Sequence, residues 1–269
     1  MGGINSPQKI SKKDLIFAKK YTFCTLVTRF DEYLEMVESA KNAGFDGSDI
    51  EFLYFDNNNS NEFDGYTGIN HALLQAKGEY LIFCHQDILF SFDDRQILDH
   101  RIAELNQINV EWAVVGNAGR DQTGRAFTRI TDPYGANQKA GNFPHEVMSL
   151  DENFLVINRK QNIACSSLLS GFHLYATDLC QNAQYLGLRN YVIDFHLYHK
   201  SSGNIDQNYM LSKKRYIYLQ QKRKKAQFYS TCCSIFFVSS NSLLTYLFNK
   251  KILLKWLRSF YKRLGNLQA

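Results

Sequence analysis

Residues Ile50–Ile88, IEFLYFDNNNSNEFDGYTGINHALLQAKGEYLIFCHQDI, decide the fold. Glu51 to Phe55 is an aromatic and branched run that stops at Asp56, where Asn57, Asn58, Asn59, Ser60 and Asn61 supply turn chemistry. From Gly68 to Lys77 the apolar residues Ile69, Ala72, Leu73 and Ala76 recur at helical spacing, and Gly78 stands where a helix C-terminal glycine would. Tyr80 to Cys84 is again a continuous apolar run of strand length, and it delivers His85, Gln86 and Asp87 at its end. Strand, crossover helix and strand predict a parallel sheet. Ligands of such sheets bind outside the carboxyl ends of the strands, so Asp56 and the His85–Asp87 segment should face one crevice.

Upstream, Tyr21 to Thr28 reads as a buried first strand. Asp31 to Ala43 reads as a helix with Tyr33, Leu34, Val37 and Ala40 inward and Gly44 closing it. Two strand-helix units in succession predict an α/β fold with a doubly wound, mostly parallel sheet flanked by helices. Downstream, Ile97 to Ile108 reads as a helix, and Trp112 to Val115 and Phe154 to Ile157 as strands. Phe172 to Leu186 reads as partly helical, and Tyr191 to Leu197 as a last strand that ends near His199. His196 alternates with His199 near the strand end, where a core-facing position is open to it, and is left out of the candidate site. Arg120 to Pro144 has weak periodicity and reads as a loop or short hairpins over the site, as long functional loops do.

The chain of 269 residues is long enough for a substantial core, and 45% hydrophobic residues with only 3 prolines exclude a disordered chain. The 6 cysteines lack metal-ribbon spacing and read as free thiols of a reducing compartment. Thirteen of the 31 lysines and arginines follow Met210 and no acid follows Asp206, so the preceding body carries 18 bases against 26 acids. An acidic body with a basic tail divides the chain into a lead-in (1–20), a main domain (21–210) and a helical extension (211–269). In the extension, Leu253, Leu257, Phe260 and Leu264 share a helical face, with Lys251, Lys255, Arg258 and Lys262 opposite. That pattern predicts a helix lying on a membrane surface; docking on the chain's own body or on a second copy is the alternative. Thr231 to Phe248 reads as a hydrophobic hairpin or dimer contact. The apolar face and the acidic body argue against a nucleic-acid partner. Met1 to Ser6 matches the short N-myristoylation pattern, which arises often by chance. With neither a secretory signal nor an apolar run of about 20 residues, the cytoplasmic side is the expected location, peripheral on the inner face of the membrane.

Taken in order, the first strand, the strand ending at Asp56, the run Gly68, Asn70, Ala72, Ala76 and Gly78, and the strand into His85-Gln86-Asp87 resemble a GT-A glycosyltransferase of family 2. Tyr175, Asp178 and Leu179, then His199, Ser201 and Gly203, are similar to that family's later motifs, so the resemblance covers roughly Tyr21 to Gly203. It implies a sugar-nucleotide donor, UDP-linked, and a saccharide or lipid-linked saccharide acceptor, as in bacterial surface polysaccharide assembly. By position Thr28 and Asp56 would contact the nucleotide, Asn70 would support the loop, and the metal and diphosphate would sit at His85, Gln86 and Asp87.

The family's D-x-D here begins with His85, which resembles a bacterial subgroup with H-Q-D in that place. An imidazole beside the Asp87 carboxylate suits Mn²⁺ better than Mg²⁺. His199 would add a metal ligand or a phosphate contact. An inverting transfer also needs a base, for which the resemblance offers Asp178; aligned on Asp178-Leu179, the family's usual acid falls on Ala176, which leaves His173 and Asp151 as substitutes. Each residue has a plainer reading: Asp56 as a turn cap, His85 as a satisfied histidine at a strand end, Asp178 as an ordinary helix acid. The rival classes are a non-catalytic sugar-nucleotide or saccharide-binding module and a nucleotidyltransferase. The second should carry a glycine-rich loop after the first strand, which Thr28-Arg29-Phe30-Asp31 does not provide.

Overall fold

The computed structural model describes residues 17–201, 207–230 and 235–256. The chain divides into two compact units, one ending at Lys213 and the other starting at Lys214. The first opens with β1 (Lys19–Val27), α1 (Phe30–Asn42), β2 (Ile50–Asp56), α2 (Gly65–Gln75) and β3 (Gly78–Cys84). Next come β4 (Ile88–Leu89), α3 (Arg95–Ile108) and β5 (Trp112–Gly116), then β6 (Ala118–Arg120), β7 (Ala126–Asp132), β8 (Gly135–Ala140), β9 (His145–Glu146) and β10 (Ser149–Leu150). It closes with β11 (Phe154–Asn158), α4 (Tyr175–Tyr185), β12 (Arg189–Val192) and β13 (Leu197–His199).

A seven-stranded sheet of order β2-β1-β3-β11-β5-β12-β9 carries the core. β1 pairs in parallel with both β2 and β3, as the alternation of strands and helices predicts. β11 lies between β3 and β5 and runs antiparallel to both. Its side chains are buried throughout, as are those of β5, and Tyr80 stacks on Trp112 at 5.7 Å across the sheet. Each fully buried apolar side chain of this kind contributes about 1.5–3 kcal/mol.

The helices follow the periodicity with local corrections. α1 buries Tyr33, Met36 and Ala40, whereas Leu34, read as inward, is 51% exposed. Gly44, at φ +88, ends α1 in the left-handed region that favours glycine. α2 starts three residues before Gly68, because Asp64 and Thr67 form a reciprocal capping box. Gly78 does not cap that helix. It opens β3 where a Cβ would stand 2.5 Å from the Thr22 backbone nitrogen, so close backbone approach requires the glycine. The stretch read as one last strand is two, β12 in the large sheet and β13 in a second one, separated by a tight turn in which Phe195 N–H donates to Ile193 O. Arg120 to Pro144 forms the β7–β8 hairpin of that second sheet, whose order is β10-β6-β7-β13-β4 with β8 beside β7.

Helix α5 (Gln207–Arg223) runs across the division at Lys213. Beyond it, β14 (Gln227–Ser230) and β15 (Ile235–Val238) pair as an antiparallel hairpin, followed by α6 (Ser242–Phe248). Phe228, Phe237 and Phe248 contact one another, while Leu243, Tyr246, Ile252 and Trp256 are more than half exposed. Among the described residues no helix is long and apolar enough to cross a membrane. The Met1–Ser6 pattern, Gly203 and the tail residues Leu257, Arg258, Phe260, Lys262 and Leu264 lie outside the described residues.

Candidate metal centre and cleft

Two strand pairings assemble the centre. β3 ends at Cys84 and releases His85, Gln86 and Asp87 at the carboxyl edge of the sheet. β13 pairs antiparallel with β4, placing His199 opposite Ile88 and so beside Asp87, and Lys200 N–H donates to Asp87 O at 3.0 Å. One potential ligand atom each from His85, Asp87 and His199 lies within 4.8 Å of the others. His199 Nε2 stands 3.4 Å from Asp87 Oδ1 and 3.4 Å from His85 Nδ1, and His85 Nδ1 is 3.9 Å from Asp87 Oδ1. Ser201 Oγ is 3.2 Å from the same His199 nitrogen.

Burial alone would raise the Asp87 carboxyl, but the His199 hydrogen bond and the two imidazoles outweigh it and hold the group well below the usual carboxylate range. Burial, and then the neighbouring His199, push the His85 imidazole below its ordinary value. The centre therefore presents an ionised carboxylate beside a neutral imidazole, the protonation states that bind a cation. Adjacent ligands of an ion with bonds of roughly 2.0–2.2 Å stand about 3 Å apart, so these three atoms need only close in slightly. Two imidazoles and one carboxylate on one side of an ion, with open positions opposite, suit Mn²⁺ or a similar transition metal.

The centre opens on a cleft of about 830 Å³, lined among others by Arg120, Asp132, Tyr134, Asp151, Glu152 and His173. The reversed direction of β11 brings the acids there: Phe154 pairs with Cys84, and His85 N–H donates to Asn153 O at 2.9 Å. Tyr175 links the two sides. Its hydroxyl is 3.3 Å from His85 Nε2 and donates to Glu152 O at 3.2 Å. Leu174, which precedes the first turn of α4, supplies no side-chain cap, and the Glu152 side chain lies near the backbone N–H groups of Tyr175, Ala176 and Leu174. Burial still pushes the Glu152 carboxyl up to about 8, with the Asp151 charge adding to the shift.

The remaining sequence candidates have definite places. Thr28 and Asp56 follow one another on the carboxyl edge, where Val27 pairs with Asp56, and both are exposed. Asp56 Oδ1 accepts from Asn58 N–H at 3.0 Å. Gln86 is buried, and its Oε1 accepts from the N–H groups of Thr28 and Arg29 at 2.8 and 3.0 Å, tying the loop after β1 to the metal segment. Asn70 exchanges two hydrogen bonds with the Cys165 backbone, which fastens α2 to the segment leading into α4. His173 lines the cleft, with its ring 5.7 Å edge-on from Tyr209. Asp178 is in the core instead: it is 0% exposed, Oδ2 accepts from Ser166 N–H and Oδ1 from Ser166 Oγ, both at 2.7 Å. A carboxylate so enclosed cannot meet an acceptor hydroxyl. His196 is buried, stacked on Phe92, and takes the core-facing position.

No family model matches the chain. Among solved structures, GalNAc-T7 with UDP, GalNAc and Mn²⁺ superposes with a TM-score of 0.51 at 8% identity, over 76% of this chain and 47% of that one. The mannosyltransferase PcManGT from Pyrobaculum calidifontis, in complex with GDP-Man and Mn²⁺, aligns with a TM-score of 0.48 at 10% identity over 79% of this chain and 69% of that one. The architecture is that of a GT-A fold. A protein of Fuscovulum blasticum described as ATP synthase subunits region ORF 6 is 36% identical over 199 residues, 70% of this chain and 78% of that protein. With that identity along most of both sequences, the chain belongs to the family of the Fuscovulum blasticum ORF 6 protein.

Proposed function

We propose that the protein is a metal-dependent, inverting glycosyltransferase that moves a sugar from a UDP-linked donor to a saccharide or lipid-linked saccharide acceptor, in the assembly of a bacterial surface polysaccharide. The observation that carries this reading is the His85, Asp87 and His199 cluster at the mouth of a cleft on the carboxyl edge of a GT-A sheet. A fold neighbour crystallised with UDP, GalNAc and Mn²⁺ supports it.

In this reading His85, Asp87 and His199 hold Mn²⁺, which when bound supplies positive charge to the departing diphosphate. Thr28 and Asp56 bind the nucleotide at the ends of β1 and β2. Gln86 keeps the Thr28 loop in register with the metal segment, and Asn70 fastens α2 to the segment leading into α4. The sugar and the acceptor hydroxyl occupy the cleft beneath the centre.

The test is a panel of UDP- and GDP-sugars with Mn²⁺ or Mg²⁺, read as nucleotide release and as thermal stabilisation. Release that needs metal and is abolished by Asp87→Ala is the expected result; undiminished release in Asp87→Ala removes the proposed centre. Stabilisation without release marks a binding module, and release of pyrophosphate from nucleoside triphosphates marks a nucleotidyltransferase.

A lipid-linked acceptor makes attachment to the inner membrane face useful, and the basic unit after Lys214, with exposed Tyr246, Ile252 and Trp256 beside Lys250, Lys251 and Lys255, has the composition for it. Each base at an anionic surface adds about 1 kcal/mol. Replacing these three lysines with glutamine should therefore release the protein from phosphatidylglycerol vesicles; equal sedimentation of both proteins contradicts the attachment.

A further inference from the structure

We propose that Asp151 is the base that takes the proton of the attacking hydroxyl, and that Asn153 positions it. The assignment deepens the glycosyl-transfer reading and rests on it. Asp151 is exposed and lines the same cleft as His85 and His199. It stands three residues before β11, whose antiparallel pairing with β3 sets this end of the strand beside His85.

The carboxylate is oriented before any ligand arrives. Asp151 N–H donates to Ala118 O at 2.9 Å, and Asp151 Oδ1 accepts from Asn153 N–H at 3.0 Å and from Asn153 Nδ2 at 2.6 Å. Those side-chain bonds fall on one oxygen and leave Oδ2 to the cleft. Asn153 is 1% exposed, and its own Oδ1 is buried with no hydrogen-bond partner. An orphaned carbonyl of this kind costs about 1–3 kcal/mol.

His173 shares the cleft with Asp151, and the other acids and histidines near the centre are engaged elsewhere. Asp178 is enclosed by Ser166, Asp132 Oδ1 accepts from Tyr134 N–H and Gln138 Nε2, and Asp87, His85 and His199 form the cation cluster. In the transfer the acceptor oxygen forms its bond to the anomeric carbon as the bond from that carbon to the diphosphate oxygen breaks. The bonding pair leaves with the diphosphate, and the hydroxyl proton passes to Asp151 Oδ2.

The experiment measures UDP release from UDP-sugars with Mn²⁺, water serving as acceptor, together with calorimetric binding of UDP and Mn²⁺. Asp151→Asn should lower kcat by about 100-fold or more while donor KM and UDP affinity stay within about twofold. Asp151→Gly should be equally slow, and sodium formate should restore part of its turnover. Asn153→Ala should lose about tenfold in kcat at unchanged KM, because it removes the amide that fixes the base rather than the base itself. An Asp151→Asn protein that keeps more than about a third of wild-type kcat overturns the assignment while the transferase reading stands. Loss in His173→Gln with Asp151→Asn unaffected moves the role to His173. A wild-type protein that releases no UDP from any donor overturns the transferase reading, and the base falls with it.

Discussion

β3 and β11 lie side by side and bring acidic residues to the same cleft from opposite ends. β3 delivers His85 and Asp87 from its carboxyl end, while β11 is preceded by Asp151, Glu152 and Asn153 at its amino end. In a parallel sheet only the residues after each strand reach the ligand edge. One reversed strand exchanges the roles of its two ends, so Asn158, Arg159 and Lys160 are carried to the opposite edge. There Arg159 donates to Gly78 O and Leu73 O, and Lys160 pairs with Glu79. The difference teaches that strand direction, more than residue type, selects which polar strand ends face the cleft.

The largest effect should come from the β3 side. Asp87→Ala should lower UDP release about a thousandfold and weaken Mn²⁺ binding at least about tenfold, read by steady-state kinetics and calorimetry. Equal losses from Asp87→Ala and Asp151→Asn in Mn²⁺ affinity would break the distinction between the two ends, since only the first removes a ligand.

Asp178→Ala sharpens the contrast from the core. It strips Ser166 N–H and Oγ of their acceptor and should cost about 2–4 kcal/mol in denaturant unfolding, with kcat per folded molecule near that of wild type. Gly65→Ala is smaller. Its Cβ would stand 2.1 Å from the Tyr175 ring, which spans the two strand ends, so overpacking should cost about 1–3 kcal/mol and displace the ring that contacts His85.

A further effect is a pH dependence at the β11 end. Folding raises the Glu152 carboxyl, by burial first, to about 8. The stability it contributes is full below its unfolded pKa near 4.3 and is lost as pH rises toward about 8, because the unfolded chain releases the proton first. Glu152→Gln should flatten that fall, and its thermal midpoint should exceed that of wild type most at pH 8–9. Parallel pH curves for the two proteins would show that Glu152 is not held in this way.

Much of the β3 side was legible in the sequence. The strand-helix-strand alternation carries the parallel pairing of β1 with β2 and β3, the family resemblance points to H-Q-D and His199, and Gly44 marks the end of α1. The place of Glu152 in the cleft and the reach of Tyr175 to His85 are not legible in the sequence, because nothing in the run FLVIN tells that β11 runs antiparallel. Asp178 sits in the core for another reason. It lies on the same helical face as Tyr175, Leu179 and Ala183, all buried, so the spacing of its own helix already pointed inward. Gly78 and the division of the last strand depend on close backbone approach and on a change of sheet, which residue types alone do not encode.

The central claim is that His85, Asp87 and His199 form one cation site on this cleft. Calorimetric titration of Mn²⁺ with UDP present, in wild type, Asp87→Ala and His199→Ala, tests it most directly. The account predicts a single ion per chain in wild type and at least about tenfold weaker binding in each variant. Wild-type affinity in both variants would contradict it.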